Sequence, residues 1–159
     1  MMIRKAWVAA WLLVVVAGTW GGRVAWAQET PDPVIDALDA RVSQFLEGVS
    51  LGTAQQAYQE LLAGSQLLKQ TKAVEALVQR TNELKGKYGE YRAFERIAAK
   101  RVGGDLVLLR YLYKCENFPV VWYFSFYRTP PRGDIPAENS NHWRAITVRF
   151  DTQLELLAL

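Results

Sequence analysis

Cysteine and histidine are the scarcest chemistry-bearing residues in this chain, one of each, Cys115 and His142. A lone cysteine closes no intramolecular disulfide, and one cysteine with one histidine is too small a donor set for a Cys/His zinc site. No sequon follows Asn82, Asn117, Asn139 or Asn141, so N-glycosylation has no acceptor. The G-x-x-x-x-G-K phosphate loop is also missing, and Gly103-Gly104 reads as a turn. Arg132-Gly133-Asp134 matches an adhesion tripeptide, but three loop residues beside prolines arise easily by chance. The excess of positive charge is small, 19 Lys plus Arg against 16 Asp plus Glu. Arg4, Lys5 and Arg23 supply that excess within the first 27 residues, which hold no acid. The remainder is balanced, so the basic pI argues for neither nucleic-acid nor anionic-membrane binding.

Those first residues have the layout of a secretory signal. Arg4 and Lys5 precede an apolar run from Trp7 to Trp20, and Ala25-Trp26-Ala27 supplies the small residues of a cleavage site. The run is shorter than the ~20 residues of a spanning helix, which argues against a permanent membrane anchor. No cysteine lies near the cut, so a lipid anchor has no attachment point. The expectation is processing between Ala27 and Gln28, delivery to the periplasm or the medium, and one domain over residues 28–159, a length suited to a single core.

Asp32 followed by Pro33 has the form of an N-cap with proline at the first helical position. Ile35, Leu38, Val42, Phe45 or Leu46 and Val49 then recur at helical spacing, ending near Gly48 to Gly52. Thr53 with Gln56 resembles a capping box for a short second helix that Gly64-Ser65 breaks. Val74, Leu77, Val78, Thr81 and Leu84 mark a third, which Gly86 is expected to stop. After that, aromatic and β-branched residues dominate. Four strands are predicted, at 91–102, 106–116, 120–128 and 143–150, with a proline-rich segment from Thr129 to Asn141 before the last. Residues 151–159 read as a short helix or as further strand. Helices first and strands afterwards imply an α+β domain, three helices packed on a curved four-stranded antiparallel sheet.

The stretches YGEYRAFERI, DLVLLRYLYKCENFPVVWYFSFYR and WRAITVRFD resemble the sheet of small exported bacterial domains related to the nuclear-transport-factor-two-like (cystatin-like) superfamily. That resemblance covers about residues 34–157 and implies a curved sheet wrapping helices into a cone. The long segment from Thr129 to Asn141 departs from the tighter turn such domains often have. The superfamily uses its cone as an enzyme pocket, a ligand cup or an interaction module, so the resemblance carries over no catalytic residue.

Candidate chemistry is thin. Cys115 and His142, with Glu116 or Asp134, would make a nucleophilic set only if the fold gathered them, and the expected role of Cys115 is a small apolar strand residue. A tyrosine-lined pocket of lyase or isomerase type would use Tyr111, Tyr113, Tyr123 and Tyr127 with Glu95, the one acid well inside a predicted strand. The leading reading is an exported, non-enzymatic binding or interaction module with no cofactor and no metal. Its candidate surface is Leu108, Tyr111, Tyr113, Trp122, Tyr123, Phe124 and Tyr127.

Both phases of the central strands are largely apolar. Leu106, Leu108 and Leu112, sharing their face with Arg110 and Lys114, alternate with Val107, Leu109, Tyr111, Tyr113 and Cys115, and Val120, Trp122, Phe124 and Phe126 alternate with Val121, Tyr123 and Tyr127 around Ser125. One face of such a sheet normally meets water. The expected partners are therefore a second copy, another protein or a small apolar ligand on that face, unless curvature and Leu154, Leu156, Leu157 and Leu159 cover it.

Overall fold

The structure, a computed structural model, describes residues 32–129 and 143–155. The signal-like leader, Arg132-Gly133-Asp134, His142, most of the proline-rich segment and Leu156 to Leu159 lie outside them.

The described chain is α+β. Helix α1 spans Pro33–Ser50, and the Asp32 carboxylate accepts the Val34 N–H at 2.9 Å, the expected cap. Its apolar stripe, Leu38, Val42, Phe45, Leu46 and Val49, is buried. Helix α2 (Ala54–Leu61) follows a turn so tight that the capping box does not form. The Thr53 hydroxyl instead donates back to the Gly48 carbonyl at 2.9 Å, a carbonyl that also accepts the Thr53 N–H at 2.9 Å, and Gln56 turns to Glu60. The two helices approach through Gly48, where an added Cβ would lie 2.9 Å from that of Ala57.

Beyond Gly64, a single 3-10 turn, Gln66–Lys69, was not expected from the sequence. Ser65 caps it and donates to the Ala145 carbonyl at 2.5 Å, which pins the turn to the last strand. Helix α3 (Thr71–Asn82) gives way to a short α4 (Leu84–Tyr88) that runs through Gly86. The stop falls at Gly89 and not at Gly86, because of the two it is Gly89 that takes a positive φ, 86°.

Strands β1 (Tyr91–Val102), β2 (Leu106–Cys115), β3 (Val120–Arg128) and β4 (Trp143–Asp151) form an antiparallel meander in sequence order. Gly103, with φ 62°, opens the β1–β2 turn as expected. β4 runs to Asp151, and Thr152 to Glu155 leave the sheet.

Phe45 of α1 sits at the centre of the core, edge-on to Tyr58 (4.9 Å between centroids), Trp122 (5.3 Å) and Phe124 (5.7 Å). Charges fix the N-terminal half of α1. Asp32 pairs with Arg101 at 2.8 Å and Asp39 with Arg96 at 3.3 Å, both on β1. The Arg41 guanidinium donates to the Trp143 carbonyl (2.8 Å) and the Leu61 carbonyl (3.2 Å).

Tyr58 and Thr81 are both buried, with hydroxyls 3.1 Å apart. Thr81 gives its proton to the Leu77 carbonyl, so Tyr58 donates to Thr81. Burial pushes the Tyr58 phenol up to about 12 from an ordinary 10.0. A folded value above the unfolded one gives stability that is full below pH 10 and lost as pH rises through about 12. Urea unfolding between pH 9 and 12 should therefore show a steep alkaline loss, and Tyr58→Phe should flatten part of it by about 2 to 3 kcal/mol. An equal slope in the variant would show that Tyr58 is not the group responsible.

Candidate functional site

The sheet sorts the candidate residues by face. Tyr111, Tyr113, Trp122 and Phe124 point to the helices and are buried, so they belong to the core and not to a surface. Sequence phase shows that two sets alternate, but only the position of α1 decides which is inward. Leu108, Tyr123 and Tyr127 lie on the opposite face, here the outer face.

The centre of the inward side is filled, and a small concavity of 140 Å³ remains at its end, lined by Val49, Leu84, Tyr91, Tyr113 and Cys115 among others. Trp122 stacks on Phe124 with planes 9° apart and meets Phe150 at 4.5 Å, while Phe126 is fully buried beneath Arg41. The four tyrosines do not converge. Glu95, opposite Leu112, is on the outer face and pairs with Lys114 at 2.9 Å.

One polar cluster escaped the sequence reading. The buried Tyr111 hydroxyl donates to Asp39, which also holds Arg96. Burial first, then the Asp39 carboxylate, push this phenol well above its usual range, so it stays protonated at neutral pH. The signal available was Asp39 beside the apolar stripe of α1, but its partners lie on strands far along the chain. The three groups satisfy one another at the edge of the core, with Tyr111 buried, Asp39 half-buried and Arg96 exposed. Cys115 is half-buried against that core, and burial raises its thiol pKa, away from the reactive thiolate.

Register lays the outer face out in cross-strand rows. The first is Val102, Leu106, Tyr127 and Arg144; the second Lys100, Leu108, Ser125 and Thr147; the third Ala98, Arg110, Tyr123 and Arg149; the fourth Glu95, Leu112, Val121 and Asp151. Exposure is graded along them. Val121 in the fourth row is buried, whereas in the first Val102 is 42% and Tyr127 39% exposed, with Ile146 of β4 nearby at 45%. In the third row two guanidiniums flank one ring: Arg110 lies 5.2 Å and Arg149 4.1 Å from the Tyr123 centroid. The Tyr123 hydroxyl is enclosed and makes no hydrogen bond.

A second concavity, an open groove of 780 Å³, runs between α2 and α3. Leu68, Val74 and Val78 contribute apolar lining, and Gln55, Gln59, Gln79 and Asn82 contribute carboxamides. It has no cation, thiol or imidazole among its described lining residues. No group of three or more His, Cys, Asp and Glu able to hold a metal ion occurs among the described residues.

No family model, no curated protein and no solved structure matches the chain. The functional reading therefore rests on these geometries and on the sequence pattern.

Proposed function

We propose that the protein is an exported, non-enzymatic binding module that works through the outer face of its sheet. The observation that carries this reading is the filled centre of the interior: Phe45, Trp122, Phe124 and Phe126 occupy the space that a ligand cup or an enzyme pocket would need, and the concavity left beside Tyr113 and Cys115 is only 140 Å³. The second reading, a lyase or isomerase with a tyrosine-lined pocket, loses its convergent set, since Tyr111 and Tyr113 point inward and Tyr123 and Tyr127 outward. Export rests on the Arg4 to Ala27 pattern, and intact mass after cleavage at Ala27/Gln28 tests it. A cystatin-like cone is supported by one long helix, α1, lying against a four-stranded meander.

The outer face offers Val102, Leu106, Leu108, Tyr127 and Ile146 as apolar contact area, the kind of patch that marks an interaction site. An environment-sensitive hydrophobic dye should bind the protein, and Leu108→Glu with Tyr127→Glu should abolish the signal while leaving the circular dichroism spectrum intact. A protein that stays monomeric by light scattering at tens of micromolar and binds no dye would end this reading.

A further inference from the structure

The first three rows of the outer face contain Lys100, Arg110, Arg144 and Arg149 and no carboxylate. This one-sided charge sits on a chain whose residues 28–159 are balanced overall. The two acids on the same face are engaged, Glu95 with Lys114 at 2.9 Å and Asp151 with Arg149 at 3.5 Å. Lys100, Arg110 and Arg144 meet no carboxylate among the described residues. Arg110 is positioned all the same, because the Tyr123 ring holds its guanidinium from one side and leaves its N–H fork for an incoming group.

We infer that this face docks an acidic polypeptide segment, one whose carboxylates meet Arg110, Arg144, Arg149 and Lys100 while its apolar side chains cover Leu106, Leu108 and Tyr127. The inference rests on the outer face being the working surface and adds the chemistry of the occupant. A second copy is a poor occupant, since its matching rows would bring four more cations and no free acid, and like charges brought together across an interface oppose association. An anionic bilayer is also a poor fit. The leucines are half-buried between their neighbours, and insertion needs apolar side chains that enter the headgroup boundary.

Fluorescence anisotropy with the full chain tests this. The probe is a short labelled peptide of alternating glutamate and leucine, set against peptides of lysine with leucine and of serine with leucine. The glutamate peptide should bind alone, and more weakly as salt rises. Arg110→Gln and Arg149→Gln should each weaken it about tenfold, the cost of one charge-assisted hydrogen bond. An unchanged melting temperature in both variants would show that the loss is not one of folding.

Equal binding of the lysine or serine peptide would overturn the inference. So would binding only to phosphatidylglycerol vesicles or to a single-stranded oligonucleotide, or unchanged affinity in both arginine variants. Dye binding that is lost in the Leu108 and Tyr127 variants, without any binding of the glutamate peptide, would remove the acidic partner and leave the module. Absence of both would remove the module itself.

Discussion

Phe45→Ala should lose about 3 to 5 kcal/mol of stability, the range for deleting a buried aromatic ring. The ring touches Tyr58, Trp122 and Phe124 edge-on, so its removal opens a void bounded by α1, α2 and β3 at once. Rigid aromatic neighbours collapse poorly into such a void, which places the cost at the upper end. Domains of this size have only about 5 to 15 kcal/mol in total, so the variant should be largely unfolded in mild urea. Phe45→Leu, which keeps most of the volume, should cost clearly less. A urea midpoint for Phe45→Ala within error of the wild type would refute the placement of α1 on the sheet.

Gly89 and Gly86 should respond to alanine with opposite signs. Gly89 has φ 86° and ψ −174°, a conformation open in practice to glycine alone. Its added Cβ would lie 2.9 Å from the Glu116 Cβ and 2.9 Å from the Asn117 Nδ2. Those neighbours cannot retreat freely, because Glu116 N–H bonds the Glu90 carbonyl and Asn117 N–H the Tyr88 carbonyl, each at 2.9 Å. Strain and overlap together should cost about 3 kcal/mol. Gly86 has no positive φ and nothing within 4 Å of an added Cβ, so Gly86→Ala should stabilise by about 0.5 kcal/mol. Thermal melts of the two variants check both, and a shift of the same sign in each would contradict the assignment of the helix stop.

The same pair of glycines shows where the sequence was readable. All four strands were legible because period-two alternation and the punctuation by Gly103-Gly104 and Pro119 agree with one another. The end of the third helix was not, since glycine in a helical stretch has the same letter whether it tolerates the helix or terminates it. Thr53 followed by Gln56 satisfied a capping pattern, but the hydroxyl turned back with its own N–H to the Gly48 carbonyl. Of the seven candidate surface residues, the phase separated Tyr111, Tyr113, Trp122 and Phe124 from Leu108, Tyr123 and Tyr127. It could not say which set meets the helices, because both are apolar. Asp39 and Arg96 went unnoticed, because a charge is informative only beside its partner and theirs is made by the fold.

The positions of the sheet's irregularities bear on how the chain avoids its own kind. Among the described residues, the order β1-β2-β3-β4 leaves β1 and β4 as edge strands, each a template on which another chain could extend the ladder into an aggregate. Every extra residue in the sheet falls on an edge strand: Arg92 and Ile97 interrupt the register of β1, and Ile146 that of β4. The β2–β3 ladder runs without a break. An interrupted edge cannot zip along its full length with a straight strand, so growth by edge pairing is discouraged at both ends. Resistance to fibril formation is thereby expected to depend on the bulges, so that a docking role for the broad face of the sheet would not require its edges to be adhesive as well.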